Sequence, residues 1–487
     1  MSFTMATANF DQQSQSFLDW FKSLPGATFR DDIIITDLRH RQAGRGIVAT
    51  ADIDPDTVLF KIPRKSILCA KTSELVAQIP DVFAEDLALD EDEDDESEDR
   101  NQDPWSTLIL IMLREYLRGD QSPWKPYFDV LPSEFDTPMF WTEAEVQELQ
   151  ASSVVSRIGR DQVSQMIGSK ILPVIRAHED AFFPAGTERL GDEAIAALAH
   201  RMGSTIMAYA FDLETDEDDE ANQNEDDEWV EDREGRVMMG MVPMADILNA
   251  DAEFNAHINH EEDALTATAL RPIRAGEEIL NYYGPLSNGE LLRRYGYVTE
   301  THARYDVVEL PWDLVEKRVK EALSVEQATW EKLVSGQSID PEDLEDGFVI
   351  ERQSEDPDAT GRVYDKPVFA GLPEELVEQV KAFLKAARKA APELGLDDKN
   401  KREAVYLESV LKSLRDRAAQ YATSLEQDEQ LLAEGRVEGR ARMAVLVRRG
   451  EKLLLRDAQS WVQTKIDELQ GSRAENGEPS AKRRRAT

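Results

Sequence analysis

At 487 residues, 41% hydrophobic and 31% charged, the chain is long enough for roughly two to four domains and too apolar to be disordered as a whole. Its net charge of −41, from 56 Lys and Arg against 97 Asp and Glu, excludes broad binding to a nucleic-acid backbone and favours basic partners. A single cysteine, Cys69, excludes intrachain disulfides and Cys-rich zinc sites, and fits a reducing compartment.

The N-terminal residues Met1 to Phe10 lack the charged and apolar regions of a signal peptide, so secretion is not expected. Phe17, Phe21 and Leu24 lie on one face of a predicted helix that ends at Pro25. Short β-like runs follow at Ile33–Ile35, Gly46–Val48 and Val58–Ile62, separated by Asp, Gly and Pro. From Asp90 to Asp99 every residue but Ser97 is acidic, and a second acidic tract runs from Asp212 to Asp232. Both are expected to be disordered loops, spanning about 85–103 and 212–234. Between them the pattern is helical. Trp105 to Leu117 is apolar nearly all round, and its longest apolar run, Leu108 to Leu113, is far short of the ~20 residues that span a bilayer. Ile195, Leu198, Met202, Ile206 and Tyr209 keep the spacing of an amphipathic helix.

After the second tract, Met238–Leu248, Ala264–Leu270 and Glu278–Tyr283 predict strands or turns. The class changes near Thr301. Helices are predicted over Trp312–Leu333, Leu372–Lys389, Lys401–Ala433 and Arg440–Leu469, with a small β excursion at Gly361–Val368. The paired Arg448 and Arg449, with Glu451, are assigned to the helical surface. From Gly471 a polar tail ends in Lys482-Arg483-Arg484-Arg485, which is either a nuclear localisation signal or a solubilising end. The expected class is α+β: a β-rich part over 1–300 with a helical insert at about 104–211, a helical part over 301–470, and a disordered basic tail over 471–487.

Three separated motifs stand out. Arg41-Gln42-Ala43-Gly44-Arg45-Gly46-Ile47-Val48-Ala49 holds two glycines one residue apart, which allow a tight turn; alone, a plain turn between strands explains them. Met244-Ala245-Asp246-Ile247-Leu248-Asn249-Ala250-Asp251 sets a carboxylate and an amide three residues apart, a spacing that capping or an Asx turn also explains. The third, Arg274 to Gly284 followed by Leu286 to Tyr297, is the specific one. Its tyrosines, Tyr282, Tyr283, Tyr295 and Tyr297, flank glycines across a polar turn and can set two phenols around one small pocket.

In this order the three motifs resemble the SET domain of the Rubisco-type protein lysine methyltransferases. Within that group the chain is similar to the branch of fungal ribosomal lysine methyltransferases and animal SET-domain-containing proteins. Met241 to Asn249, Ser287 to Tyr297, and Ser122-Pro123-Trp124-Lys125-Pro126-Tyr127-Phe128 leading to Leu131-Pro132 carry the resemblance, which spans about Phe10 to Leu469. It implies a β-rich SET fold, interrupted by a helical insert and followed by a helical substrate-binding domain. It also implies transfer of a methyl group from S-adenosylmethionine to a lysine nitrogen. Carried over by position, Ala43, Gly44 and Arg45 face the cofactor, Asn249 holds it by its side-chain amide, and Ala250 by its backbone. Tyr283 is then the catalytic tyrosine and also touches the cofactor, Tyr295 lines the lysine channel beside the cofactor, Asp246 lies near the entering lysine, and Tyr209 touches both. Tyr282 and Tyr297 are assigned to packing. The family's usual Asn-His is Asn249-Ala250 here, so any role of that histidine side chain is absent.

The resemblance further implies a basic ribosomal protein of the large subunit as substrate, a nuclear or also cytoplasmic location, and a monomer with neither nucleic acid nor membrane as partner. No metal is required, because a sulfonium methyl is already electrophilic, and no general base is assigned. His257 and His260, followed by acids, have a spacing that also admits a metal, but are read as an exposed loop. The rival reading is a non-enzymatic escort for basic proteins on a SET-like scaffold, motivated by the acidic tracts and Ala250.

Overall fold

The computed structural model describes residues 2–41, 43–83, 103–213, 238–325, 330 and 344–477. Most of both acidic tracts and the Lys482–Arg485 cluster lie outside these residues. The chain opens with helix α1 (Ser2–Ser23), whose Phe17 and Phe21 are fully buried, as their spacing on one face predicts. Short strands follow: β1 (Thr28–Phe29), β2 (Ile33–Asp37), β3 (Arg45–Ala49), β4 (Val58–Pro63) and β5 (Leu68–Cys69).

The stretch between the acidic tracts is helical. Helix α2 (Pro104–Leu117) is capped by Asp103, whose carboxylate accepts from Ser106 N at 2.9 Å, and Pro104 sits in its first turn, where no donor is lost. Leu108 to Leu113 are all buried, so α2 is a core helix. A single turn, α3 (Lys125–Phe128), and helix α4 (Asp192–Tyr209) pack with it. Strands then resume as β6 (Ala210–Leu213), β7 (Met238–Met241), β8 (Asn249–Ala250), β9 (Ala256–His260), β10 (Ala264–Ala269) and β11 (Glu278–Asn281), closing with helix α5 (Asn288–Tyr295).

These strands form three small sheets, ordered β1-β4-β10-β9, β2-β3-β11-β8 and β5-β7-β6. One hydrophobic core joins α1, the strands and the helical stretch, so the helices of 104–209 are part of the same folded unit as the sheets. His257 and His260 lie on β9 rather than in a loop; three apart on a strand, they point to opposite faces. No helix among the described residues is long and apolar enough to cross a membrane.

Beyond Thr301, β12 (Val308–Pro311) pairs antiparallel with β13 (Gly347–Ile350). The β excursion expected at Gly361–Val368 is reduced to one bridge, Val368 to Gln353. Gly361 instead packs on Phe254, whose N–H donates to its carbonyl at 2.9 Å. The remaining longer helices are α6 (Trp312–Leu323), α7 (Glu374–Ala390), α8 (Lys399–Ala419), α9 (Leu425–Ala433) and α10 (Gly439–Gly477). They build a second core around Val315, Phe383, Leu414 and Leu454.

Three boundaries differ from expectation. Helix α6 stops at Leu323 because Ser324 takes a left-handed conformation, φ 55°. The helix expected over Lys401–Ala433 is broken in two, because Ser424 and Gln427 form a capping box that starts α9. Helix α10 continues to Gly477, past Gly471 where the tail was expected to begin. Arg448, expected at the surface, is 1% exposed.

Candidate active site

Sheet pairing brings the three motifs to one place. Strand β11 pairs antiparallel with β3, joining Ile279 to Ile47, and parallel with β8, joining Leu280 to Asn249 and Asn281 to Ala250. The third motif is therefore flanked by the first on one side and by the second on the other. Asn249 ties all three: its amide donates to the Arg45 carbonyl at 3.0 Å and to Glu278 Oε1 at 2.7 Å. Only its Oδ1 is left for a ligand. Gly44 has φ +65° and open space where a side chain would stand, whereas the site of a Cβ on Gly46 is filled by Leu38, Asn249 and Glu278.

The tyrosines converge on this knot. Tyr283 Oη donates to the Leu248 carbonyl at 3.1 Å, and Tyr297 Oη to the Ala250 carbonyl at 3.3 Å. The rings of Tyr283 and Tyr295 stack with centroids 4.8 Å apart, and Tyr297 stands 6.1 Å beyond Tyr295. Gly296 makes this possible. It ends α5 at φ +77°, donating to the carbonyls of Leu291 and Leu292, and its missing Cβ leaves room for the backbone of Asp136 and Thr137 2.9 Å away. Tyr295 and Tyr297 are thus turned to the same side of the knot.

Burial is the main cause that raises Tyr283 well above the usual phenol range, with Tyr297, Tyr295, Tyr209 and Asp246 adding negative potential. Burial likewise raises Tyr209 to about 12, with Asp246 adding to it. These phenols hold their protons at neutral pH and act as donors and dipoles, not as bases. Burial pushes Asp246 up to about 7. Its Oδ2 accepts from Tyr127 Oη at 2.5 Å, and its Oδ1 is buried with no hydrogen-bond partner among the described residues. Asp246 follows Met244, a buried non-glycine residue at φ +83°, in the short turn that precedes β8. The cluster is made of phenol, carbonyl and carboxylate oxygens. Such a set suits a cation and repels an anion.

The SET domain family matches residues 44–284, and the Rubisco LSMT substrate-binding family matches residues 372–455. This chain is a SET-domain protein with a Rubisco LSMT-type substrate-binding domain. It is 34% identical over 319 residues to ribosomal lysine N-methyltransferase 4 of Saccharomyces cerevisiae, covering 64% of this chain and 61% of the relative. It is 30% identical over 287 residues to N-lysine methyltransferase SETD6 of Bos taurus, covering 58% of this chain and 56% of the relative. The match thus spans less than two thirds of the length of either relative. The solved structure of Rubisco LSMT bound to AdoMet superposes with a TM-score of 0.60 at 21% identity, over 97% of both chains, and shares the fold.

Asn249, Ala250, Tyr209, Asp246, Tyr283 and Tyr295 belong to one neighbourhood, linked by β8, β11 and the tyrosine cluster, while Ala43 and Gly44 form the turn into β3, bonded to Leu38 through the Ala43 N–H at 3.2 Å and the Gly44 carbonyl at 2.8 Å. Arg45 contributes its carbonyl to Asn249. Its side chain turns away, donating to Ser14 Oγ at 3.0 Å and to the Val130 carbonyl at 2.9 Å, over the Phe10 ring. Tyr282 packs on Phe254 with ring centroids 4.7 Å apart. Tyr297, assigned to packing, sits in the cluster with its hydroxyl on Ala250. Two further residues were given no role from sequence. Glu278 holds the Asn249 amide, and nothing in its local pattern marks it. Tyr127 was the more detectable of the two: a tyrosine in so apolar a segment as Pro123–Leu131 needs a buried partner for its hydroxyl.

Proposed function

We propose that this chain is a protein-lysine N-methyltransferase that uses S-adenosylmethionine. The observation that carries the reading is the all-oxygen site around Tyr283, walled by stacked tyrosines and closed by the passage of β8 beside β11. It suits a sulfonium cation and a lysine that enters as an ammonium and reacts as the neutral amine, brought together in line. Similarity to proteins named as lysine methyltransferases supports it.

S-adenosylmethionine, when bound, supplies an electrophilic sulfonium methyl. Backbone groups of Ala43, Gly44, Arg45 and Ala250, Asn249 Oδ1, and Tyr209, Tyr283 and Tyr295 are the groups that would hold it. Tyr283, whose hydroxyl is fixed on the Leu248 carbonyl, presents its oxygen to the reacting centre. Tyr295, stacked on Tyr283, forms the wall along which the lysine enters with Tyr209 and Asp246. Fixing the amine in line contributes up to about 7–11 kcal/mol to such a reaction. Burial among phenol rings favours the neutral amine over the ammonium, because desolvation penalises the charged form.

The proposed substrate is a basic protein, namely a ribosomal protein of the large subunit. The net charge of −41 supports this through long-range attraction, and one relative is named for ribosomal lysine methylation. We further propose that the protein acts as a monomer in the nucleus, the basic Lys482–Arg485 cluster being the localisation signal. The test is incorporation of labelled methyl from S-adenosylmethionine into a large-subunit ribosomal protein extract. Tyr283→Phe is expected to lower the rate on the order of a hundredfold or more. Full incorporation by the variant would remove Tyr283 from catalysis. Absence of S-adenosylmethionine binding by calorimetry, with affinity for basic proteins retained, would favour an escort role instead.

A further inference from the structure

Tyr127 lies outside the three motifs, on α3, yet reaches into the site. It is fully buried. Phe17 and Trp20 of α1 stand against its ring, with centroids 6.1 and 6.4 Å away, and Trp124 and Phe128 of its own segment close the other sides at 6.4 and 6.0 Å. Trp20 Nε1 donates to the Pro123 carbonyl at 2.9 Å, which locks α1 to this segment. So tight an aromatic cage leaves the phenol one direction, and its hydroxyl donates to Asp246 Oδ2 at 2.5 Å.

Asp246 is thus half satisfied. Oδ2 is committed to Tyr127, while Oδ1 is buried and has no hydrogen-bond partner among the described residues. An unpaired buried carboxylate oxygen is costly unless a ligand supplies the missing donor. The groups that face Asp246 are Tyr127 from α3, Tyr209 from α4, Tyr283 after β11, and the backbone N–H groups of Met244 and Asp246 itself. None of these is a cation. No described residue completes a hydrogen bond to Oδ1, and a lysine ammonium brought by a substrate has the right charge and three N–H groups.

We propose that Tyr127 is a positioning residue for the substrate lysine, holding Asp246 by Oδ2 so that Oδ1 accepts from the entering ammonium. This rests on the methyltransferase reading of the site. A hydroxyl that donates to a carboxylate stabilises its charged form, so Tyr127 opposes the effect of burial and keeps Asp246 ionisable near neutral pH. Without it Asp246 holds its proton to higher pH and loses the charge that receives the ammonium.

Tyr127→Phe keeps the ring and its cage and removes only the donor. Two measurements on the full chain test it. The first is the titration of Asp246 by carboxyl carbon NMR, assigned with Asp246→Asn. The second is the pH dependence, between pH 6 and 9, of methyl incorporation into dilute large-subunit ribosomal protein extract, where the rate reports kcat/KM. In Tyr127→Phe both the Asp246 midpoint and the acid limb of the rate are expected to move up by about one pH unit. The rate at pH 7 is expected to fall about fivefold, as the ionised fraction of Asp246 does, with S-adenosylmethionine affinity unchanged. Asp246→Asn should erase the acid limb, and serves as the second variant should Tyr127→Phe fold poorly. An active wild type with an unmoved limb in Tyr127→Phe, or an intact limb in Asp246→Asn, overturns the positioning role alone. A wild type that transfers no methyl overturns the methyltransferase reading and this inference with it.

Discussion

Gly46 shows what a single residue decides. A Cβ there would lie 2.5 Å from Leu38 Cδ1 and 2.9 Å from both Asn249 Nδ2 and Glu278 Oε1. The leucine methyl can swing aside, but the amide and carboxylate are bonded to each other at 2.7 Å and cannot both yield. Gly46→Ala is therefore expected to cost about 1–3 kcal/mol, as overpacking of a closed site does, and to part Asn249 from Glu278. Urea denaturation reads the stability and calorimetry the S-adenosylmethionine affinity; no change in either would show that the knot tolerates a methyl. The pair of glycines was visible in the sequence, but which of them faces a ligand was not. Gly44 is open and Gly46 is packed, because the partners of Gly46 come from strands far along the chain.

At the scale of elements, the C-terminal helices are joined by buried charge as much as by apolar contact. Asp428 of α9 is fully buried. It accepts from Arg448 Nη2 at 2.9 Å and from Lys452 Nζ at 2.5 Å, both on α10, and from Thr423 Oγ1 at 2.9 Å. Arg448 also reaches Glu148 Oε2 at 3.1 Å, so the helical insert is tied into the same network. Asp428→Ala would leave two buried cations without their shared anion and is expected to cost about 3–5 kcal/mol. Its denaturation midpoint measures this, and a loss below about 1 kcal/mol would mean that water reaches the cations. The Ser424–Gln427 capping box that starts α9 was readable as a sequence signal, whereas the burial of Arg448 was not. Its neighbours Arg449 and Glu451 gave the stretch the look of a solvated face, and only the docking of α9 and Glu148 covers it.

Across the whole molecule, the SET domain and the helices after it meet over titratable groups. Glu451 of α10 accepts from Ser152 Oγ at 2.6 Å and from Tyr421 Oη at 2.7 Å, and Asp306 accepts from Asn288 N at 3.1 Å. Burial raises both carboxyls to about 7; Glu451 raises Asp306 further and Glu309 raises Glu451, while Arg352 opposes the first and Arg417 the second. The unfolded chain releases the Glu451 proton near 4.5, and the folded chain keeps it to about 7. The unfolded state therefore binds fewer protons between these values, so stability falls as pH rises through that window, by up to about 3 kcal/mol for this one group. Glu451→Gln removes the titration. Its Tm relative to wild type should increase from pH 5 to pH 8, and an identical pH slope in the two proteins would show that Glu451 does not titrate there.

The sequence by itself determined the class of most of the elements. Residue spacing marked Phe17, Phe21 and the Leu108–Leu113 run as core, because helix periodicity is a local property. The third motif drew attention to its tyrosines, and the resemblance of the three motifs together to a SET domain singled out Tyr283 and Tyr295. Only the tertiary structure decided that Arg45, Asn249 and Glu278 form one hydrogen-bonded knot, that Arg45 spends its side chain on α1, and that Tyr127 holds Asp246. Each of these depends on a contact between strands or helices distant in sequence. Such contacts follow from the pairing of β11 with both β3 and β8, which no local pattern encodes.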